Sequence, residues 1–331
     1  MADLTGRTVL HYRIGAKLGE GGMGAVYQAH DLQLRRTVAL KFLSPAMLSD
    51  RTSRARFIRE AQAAGSLDHP NICTVYGLEE AAGLSFIVMA LVDGPTLAQR
   101  MSQGMALSET LDCAIAIGEG LQFAHSHGIV HRDIKASNVL VSHHGVPKIT
   151  DFGLARLENR SRLTAPGTVL GTVTAMAPEQ LRGEDADRRT DIWAFGILLY
   201  EMVTGKKPFE RPNASETMQA ILRESPRPPQ ALNPRLPQEF TWVIEKTLAK
   251  SRSQRYQHID DLLTDLRALR RRLPAEQAAV STPSAQPPDD EAATMPSLAP
   301  SQSAWRQNWH ILAAIGVLLI ASIILFAVLR R

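Results

Sequence analysis

One stretch decides the fold of this 331-residue chain: His131-Arg132-Asp133-Ile134-Lys135-Ala136-Ser137-Asn138. It matches the catalytic-loop pattern H-R-D-L-x-x-x-N at every defined position except one, where isoleucine replaces leucine. Two tripeptides follow it, first Asp151-Phe152-Gly153 and then Ala177-Pro178-Glu179. Each tripeptide alone would indicate no more than a turn. In this order and at this spacing, the three segments indicate one catalytic site.

A glycine cluster upstream reads Gly19-Glu20-Gly21-Gly22-Met23-Gly24-Ala25-Val26, the pattern G-x-G-x-x-G-x-V. Glycines lack β-carbons, so backbone amides can close over phosphate groups. A dinucleotide-binding fingerprint is similar but requires a helix directly after the glycines. Here a second β-like run follows, so the pattern favours a nucleotide-covering hairpin.

A lysine and a glutamate fit the same site. Lys41 lies within the β-like run 37–43, flanked by apolar residues, and alternation puts it on the face of Ala39. Glu60 lies on the apolar side of a helix predicted at 52–66. An isolated lysine or glutamate would normally face water, so the pairing of the two is inferred from their combination with the other motifs.

Together these motifs resemble those of eukaryotic-type protein kinases, in particular the bacterial membrane-anchored serine/threonine kinases with the same glycine loop. The resemblance covers residues ~12 to 270 and implies an α+β, bilobal protein-kinase fold. The expected domain, 12–270, has a small β-rich N-lobe with one helix (12–92) and a larger helical C-lobe (95–270). Residues 1–11 are then an N-terminal extension.

The resemblance also implies roles in phosphoryl transfer, a reaction that depends on position and charge. Asp133 would take the proton of the substrate hydroxyl, and Lys41, paired with Glu60, would anchor ATP. Lys135 resembles the lysine that serine/threonine kinases place against the γ-phosphate. The implied catalytic residues are Asp133, Lys135 and Asn138, and the implied ligands of Mg²⁺, or of Mn²⁺ in its place, are Asn138 and Asp151.

The adenine pocket follows from the same resemblance. Met89 would be the gatekeeper, Ala90 to Val92 the backbone edge, and Asp93 a neighbour of the ribose. For the apolar members of the set, ordinary core packing is an equally good description. The residues expected around ATP are Leu18, Gly19, Gly21, Gly22, Gly24, Val26, Ala39, Lys41, Glu60, Met89, Leu91, Asp93 and Leu140.

A threonine-rich segment lies between Asp151 and Glu179. Arg132 could pair with a phosphate there, which predicts regulation by autophosphorylation. The candidate phosphosites are Thr164, Thr168 and Thr172. Because Gly171-Thr172 resembles a substrate-docking threonine, Thr164 or Thr168 is preferred.

Two departures from the family pattern fall in the helical lobe. Ala175 occupies a place often held by tyrosine, and Ser251-Arg252 replaces a common Asp-Pro. The resemblance still allows a buried pair between Glu179 and Arg255, and neither departure touches a catalytic group.

Two other classes of function remain open. A pseudokinase would bind nucleotide and partners without catalysis, although the complete set of motif residues argues against it. A small-molecule kinase would share the phosphate chemistry, but Ala177-Pro178-Glu179 and the threonine-rich segment favour protein substrates. A homodimer that autophosphorylates in trans is compatible with these residues.

The composition fits a folded domain, with 44% apolar and 21% charged residues. The net charge is +4 and the pI about 9.2, yet bases and acids are interspersed, so no nucleic-acid partner is expected. Cys73 and Cys113 stand alone and are predicted to be small buried residues.

The C-terminal part has a different character. Residues 271–304 are rich in Pro, Ser, Ala and Gln and are predicted to be a disordered linker. The uncharged run 311–329 would be ~28 Å long as a helix, enough to span a bilayer, so 305–331 are predicted to form a transmembrane tail. With no signal peptide at Met1, we expect a single-pass C-terminal anchor and a cytoplasmic kinase domain.

Overall fold

An antiparallel sheet of six strands forms the first lobe of the computed structural model, which describes residues 3–21, 24–44, 58, 61–152 and 173–280. Its strands lie in the order β1-β2-β3-β4-β6-β5. Their bounds are Thr8–Val9 (β1), Tyr12–Gly21 (β2), Gly24–Asp31 (β3), Arg36–Leu43 (β4), Val75–Ala81 (β5) and Leu84–Ala90 (β6).

Alternating side chains explain this sheet. In β3, Ala25, Tyr27 and Ala29 are buried while their neighbours are less so, and they pack with Phe42 and Phe86 in one apolar cluster. The ring of Tyr27 meets that of Phe42 edge to face. The predicted hairpin after the glycines is therefore present as β2 and β3.

The N-terminal extension expected at 1–11 is part of this lobe in the structure. Residues Thr8–Val9 pair with β2, and Leu4 is buried in the same apolar cluster. The N–H of Gly6 also donates to the carbonyl of Ile14. This strand could not be predicted, because a run of two residues is too short to show alternation.

Helices make up most of the second lobe. Their bounds are Leu97–Ser102 (α1), Leu107–Ser126 (α2), Pro178–Leu181 (α3), Arg188–Thr204 (α4), Ala214–Arg223 (α5), Gln238–Thr247 (α6) and Ile259–Val280 (α7). A two-stranded ribbon, Val139–Val141 (β7) and Pro147–Ile149 (β8), lies between α2 and α3, after a single 3₁₀ turn at Ala136–Asn138.

The centre of the second lobe is α4. Of its 17 residues 13 are buried, which makes it a core helix rather than an amphipathic surface helix. Its N-cap Asp187 accepts a hydrogen bond from the N–H of Arg189, and Gly205 ends it in the left-handed conformation. Gly196 allows close packing, because a β-carbon there would lie 2.3 Å from Oγ1 of Thr247.

Two predictions about the edges of the domain can be compared with the structure. The linker was predicted to begin at residue 271, but α7 runs to Val280 and so continues into the first residues of the predicted linker. Of the helix predicted at 52–66, residues 58 and 61–66 are described; residues 58 and 61–65 are helical, and Ser66 lies in the turn that follows. Cys73 and Cys113 are both buried, as predicted.

The predicted transmembrane tail, 305–331, lies outside the described residues. Within the part of the chain that the structure describes, no helix combines the length and the apolar character needed to cross a membrane.

Candidate active site

A buried carboxylate holds the backbone of the loop that carries the H-R-D motif. Oδ2 of Asp191, in the first turn of α4, accepts the N–H of His131 at 2.8 Å, and its Oδ1 accepts the N–H of Arg132 at 2.7 Å. Arg132 has a φ of +70°, a conformation that a non-glycine residue adopts only when its surroundings impose it. Asp191 therefore fixes the turn that presents Asp133.

Two neighbouring histidines stabilise the negative charge of the buried Asp191. Burial alone would raise its pKa, but a hydrogen bond from His125 and the nearby rings of His125 and His131 more than offset this and lower the pKa. The Nε2–Oδ2 distance between His125 and Asp191 is 2.7 Å. Sequence reasoning did not mark Asp191 or His125 as site residues, because an aspartate in the first turn of a helix usually faces water.

His131 connects the loop to the Asp151-Phe152 segment. Its Nδ1 accepts the N–H of Asp133, so its Nε2 carries the proton that is donated to the carbonyl of Thr150 at 2.8 Å. Its ring also lies 4.6 Å from the buried ring of Phe152. His131 thus holds the H-R-D loop and the Asp151-Phe152 segment together.

The three predicted catalytic residues lie together. Oδ2 of Asp133 accepts hydrogen bonds from Nζ of Lys135 at 2.7 Å and from Nδ2 of Asn138 at 2.8 Å. Nδ2 of Asn138 also reaches the backbone carbonyl of Asp133. The carboxylate is held by two donors, and Asp133 and Lys135 remain partly exposed to the cleft.

Lys41 extends from β4 of the first lobe and contacts Asp151. Its Nζ lies 2.5 Å from Oδ1 of Asp151, and only 8% of the residue is exposed. Burial raises the pKa of Asp151, but the charge and hydrogen bond of Lys41 lower it further than burial raises it. Asp151 has a φ of +63°, a second strained position in the site. Glu60, the predicted partner of Lys41, lies outside the described residues.

Asn138 and Asp151 form a donor set that suits a hard divalent cation. Because Nδ2 of Asn138 donates to Asp133, its amide oxygen is turned away from that contact, and among the described residues no hydrogen bond reaches it. Asp151 also keeps one carboxylate oxygen beyond the one that meets Lys41. Carboxylate and amide oxygens are ligands that Mg²⁺ accepts, with water completing its shell.

The β-strands of the first lobe place the predicted ATP residues. Val26 is paired with Lys41 across β3 and β4, and Ala39 is paired with Met89 across β4 and β6. Leu140 joins the start of α1 through a bridge to Thr96. Leu18, Gly19 and Gly21 lie in the exposed end of β2, and Leu91 follows β6; Gly22 lies outside the described residues.

Gly24 has the strictest position in this hairpin. Its φ is +142°, and a β-carbon there would lie 1.8 Å from the carbonyl oxygen of Phe42. Gly19 and Gly21 have no atom within 4 Å of the corresponding point. Gly24 is therefore needed by the fold, whereas the space at the other two is open.

Asp93 has a partner that the sequence did not suggest. Its carboxylate contacts the ring of His143 in the turn between β7 and β8, and its carbonyl accepts the N–H of His143 at 3.0 Å. The Asp93 side chain is largely exposed. Its carboxylate is thus engaged by this turn, and its place beside the ribose, which the resemblance implied, stays a prediction.

A small cavity has Met89 in its wall. It is lined by Lys41, Cys73, Asp151 and Phe152 among others, and the thiol of Cys73 reaches the carbonyl of Ala90 at 3.5 Å. Burial raises the pKa of Cys73 to about 11, so the thiol stays neutral.

The buried pair that the resemblance allowed is present. Nη1 and Nη2 of Arg255 each lie 2.8 Å from an oxygen of Glu179, and both residues are almost fully buried. Arg252, which replaces the family's common proline, instead contacts Glu184 and Asp187 at the surface. The candidate phosphosites Thr164, Thr168 and Thr172 lie outside the described residues.

Comparison with known proteins gives a consistent result. The family profile described as protein kinase domain matches residues 12–265. The chain is 40% identical to the probable serine/threonine-protein kinase SCO3848 of Streptomyces coelicolor, over 78% of this chain and 39% of that protein. It is 39% identical to the serine/threonine-protein kinase PrkC of Bacillus subtilis, over 77% and 40%.

Solved structures agree. The kinase domain of PknI from Mycobacterium tuberculosis, crystallised as a C20A_R136A double mutant, superposes with a TM-score of 0.66 at 28% identity, over 82% of this chain and all of that one. The predicted bilobal fold is confirmed. The chain spans about two fifths of the length of the curated relatives it matches.

Proposed function

Because the chain belongs to the protein kinase family, we propose that it transfers the γ-phosphate of ATP to serine and threonine hydroxyls of protein substrates. The observation that carries this proposal is the cluster of Asp133, Lys135 and Asn138, with the Lys41–Asp151 contact opposite it. Its relatives are named serine/threonine-protein kinases, which supports the same substrate class.

Each residue has a task that follows from its contacts. Asp133 is held so that a hydroxyl entering the cleft can hydrogen-bond to its carboxylate and give up its proton. Lys135 lies against that carboxylate and can turn its charge to the transferring phosphate. Lys41 supplies a second cation for the nucleotide phosphates from the buried side of the cleft.

Mg²⁺ would be held by the amide oxygen of Asn138 and the carboxylate of Asp151. When bound, it supplies positive charge that neutralises the phosphate oxygens during transfer. The protein's own contribution is to keep these two oxygen donors in place, since both side chains are already fixed by neighbouring groups.

The test is phosphate transfer from radiolabelled ATP by the full chain, to itself and to a general protein substrate. Wild type should label serine and threonine, and Asp133→Asn should reduce labelling by at least 100-fold, because the base is removed. Asp185→Asn changes an exposed carboxylate elsewhere and serves as the matched control. Equal labelling by wild type and Asp133→Asn would refute the proposal, and nucleotide binding without transfer by the wild type would favour a pseudokinase.

Autophosphorylation between residues 156 and 176 is part of the proposal. Arg132 is held beside Asp133 by Asp191 and can pair with a phosphorylated threonine, for which Thr164 and Thr168 are the preferred candidates. Phosphopeptide mapping after incubation with ATP checks this. Phosphate found solely outside that segment would contradict it.

We also propose that residues 311–329 anchor the chain in a membrane, with the kinase domain in the cytoplasm where ATP is available. The support is the sequence: 19 uncharged residues after a linker of low apolar content. Alkaline extraction of membranes from expressing cells tests it. Leu319→Arg with Ile320→Arg should release the chain, because each arginine at the centre of a span costs about 3 kcal/mol, whereas Leu319→Ile with Ile320→Leu should not.

A further inference from the structure

A cavity of about 460 Å³ lies between the C-terminal half of α2 and the starts of α4 and α7. Phe123 and His125 of α2 form one wall, Arg188 opens α4, and His258 and Ile259 lie at the start of α7. Among the described residues that line it, none belongs to the set assigned to catalysis, Mg²⁺ or ATP. The cavity is therefore a site of its own.

The wall at His125 contains a buried hydrogen-bond acceptor without a donor. Only 7% of the His125 side chain is exposed, and its Nε2 lies 2.7 Å from Oδ2 of Asp191. Burial raises the pKa of Asp191 but its neighbours lower it further, so the carboxylate is ionised and Nε2 of His125 carries the proton between them. Within the described part of the chain, Nδ1 of His125 has no hydrogen-bond partner. Such an acceptor gains free energy from a donor that reaches it.

Arg188 and His258 supply donors on the opposite side of the cavity. Nε of Arg188 donates to the carbonyl of Gln257 at 3.0 Å, and its Nη2 lies 3.3 Å from Nε2 of His258. Because a guanidinium can only donate, His258 accepts at Nε2 and carries its proton on Nδ1. Nη1 of Arg188 makes no hydrogen bond to any described residue. These two side chains can hold a carboxylate.

Two carboxylates add negative charge to the same cavity. Glu119 accepts from Arg267 at Oε1, and Asp260 accepts from Gln122 at Oδ1, so each keeps a second oxygen for a ligand. These carboxylates would repel a simple anion, and Arg188 would repel a simple cation. A small molecule that has both an ammonium and a carboxylate group matches this distribution of charge.

We propose that this cavity binds a free α-amino acid with a large apolar side chain, and that the bound amino acid activates the enzyme. Its carboxylate pairs with Arg188, and its ammonium donates to Nδ1 of His125 and to the two carboxylates. Its side chain packs against Phe123 and Ile259. Binding does not depend on the proposed kinase function, whereas the effect on rate rests on it.

His125 connects the cavity to the catalytic loop. A donor at Nδ1 keeps the imidazole proton on Nε2, the tautomer that donates to Asp191. Asp191 in turn accepts the N–H groups of His131 and Arg132, which fix the turn that presents Asp133. The amino acid should therefore raise kcat, by about 3-fold, and leave KM for ATP nearly unchanged.

Isothermal titration calorimetry of the full chain in detergent micelles tests binding, with L-phenylalanine and L-leucine as the probes. Phenylacetate lacks the ammonium group and phenethylamine lacks the carboxylate. Each should bind at least 10-fold more weakly than L-phenylalanine, because one set of charged hydrogen bonds is lost. Glycine, which lacks the side chain, should also bind at least 10-fold more weakly.

Three variants locate the site. Arg188→Gln should weaken the binding of L-phenylalanine at least 10-fold, because Arg188 is exposed and its loss removes the partner of the carboxylate. His125→Gln retains an amide donor for Asp191 but removes the Nδ1 acceptor, so it should weaken binding about 5-fold and abolish the rise in kcat. Arg223→Gln alters an exposed arginine at the end of α5 and should bind as wild type does.

The rate effect is measured as phosphate transfer from radiolabelled ATP with and without L-phenylalanine. Failure of both L-amino acids to bind, or equal affinity in wild type and Arg188→Gln, would overturn the site. Phenylacetate or phenethylamine that binds as tightly as L-phenylalanine would show a simple anion or cation site instead. Binding without a change in kcat would overturn the activation. Binding by a chain that transfers no phosphate would support the site and refute the kinase function.

Discussion

Asp191 holds the backbone of the catalytic loop in place, a role that its position in the sequence does not indicate. It accepts the N–H groups of His131 and Arg132 and contacts His125, all from a buried position. Asn in its place keeps the shape but replaces one acceptor oxygen by a donor, so at least one of these contacts is lost. The residue is a positioning residue, since it acts through the backbone that presents Asp133.

We therefore expect Asp191→Asn to destabilise the domain by about 2 to 4 kcal/mol, because hydrogen bonds to a buried charge are lost. It should also lower kcat more than it raises KM for ATP. Urea unfolding and steady-state kinetics measure the two effects. Asp185→Asn is the control, and unchanged kcat in a folded Asp191→Asn variant would contradict the positioning role.

Glu179 and Arg255 give a prediction about pH. Burial raises the pKa of Glu179, but the hydrogen bond and charge of Arg255 lower it below the value of a free glutamate. A group with a lowered pKa in the folded state contributes stability above its unfolded pKa, and that contribution is lost as the pH falls through the folded pKa. The paired carboxylate thus makes the domain less stable in acid.

The expected result is a falling free energy of unfolding below about pH 4.5, the ordinary pKa of glutamate. Glu179→Gln should cost about 3 to 5 kcal/mol at pH 7, since it leaves Arg255 buried and unpaired, and the cost should shrink as the pH falls. Urea unfolding at pH 3.5 to 7 measures this. A cost independent of pH would show that the pair's charge does not matter.

Residues of the motifs could be identified from the sequence, because phosphoryl transfer requires particular side chains at particular spacings. Asp133, Lys135, Asn138, Lys41 and Asp151 lie together as expected. The residues that hold the site residues and their loops in place could not be identified from the sequence. Asp191, His125 and His143 are common residue types whose role depends on burial and contacts between distant segments, which no local pattern encodes.

At the level of elements, the β2–β3 hairpin depends on one glycine. The strained φ of Gly24 and its approach to the backbone of Phe42 leave no room for a β-carbon, whereas Gly21 has open space. Phe42 is fully buried in β4, so its carbonyl cannot move away without disturbing the apolar cluster of the first lobe.

Gly24→Ala should therefore destabilise the domain by about 3 kcal/mol or more in the absence of nucleotide, through backbone strain and the clash. Gly21→Ala is the matched comparison. This variant should leave the free energy of unfolding within about 0.5 kcal/mol of the wild-type value. It should nevertheless weaken ATP binding, because Gly21 lies where the phosphates of ATP would pass. Differential scanning calorimetry and ATP titration separate these effects, and equal midpoints for the two variants would contradict the assignment.

Elements differed in how well the sequence predicted them. The hairpin after the glycine cluster was predicted from its β-like pattern and is present as β2 and β3. The two-residue β1 was not predicted, and α7 extends past the predicted start of the linker at residue 271. Strand β1 is held by pairing with β2, and α7 is held by packing and by ion pairs such as Arg270 with Asp112 on α2.

For the molecule as a whole, the first lobe has an exposed apolar patch that could bring two copies together. Leu32 and Leu34 are 41% and 64% exposed, and Leu10 beside them is 51% exposed. Leu32 and Leu34 lie in the turn between β3 and β4, and the N–H of Leu32 donates to the carbonyl of His11, the residue after Leu10. Grouped apolar residues of this kind are typical of association surfaces.

We expect the full chain in detergent micelles to form dimers through this patch and to autophosphorylate in trans. Leu34→Asp should raise the dissociation constant at least 10-fold in analytical ultracentrifugation, because it puts a charge in the apolar contact, and the midpoint of unfolding should barely change since Leu34 is mostly exposed. Labelling of an Asp133→Asn chain by active chain should fall in parallel. Trp242→Asp alters another exposed apolar residue, on α6, and should leave association intact. Dimers that persist in Leu34→Asp would place the contact elsewhere.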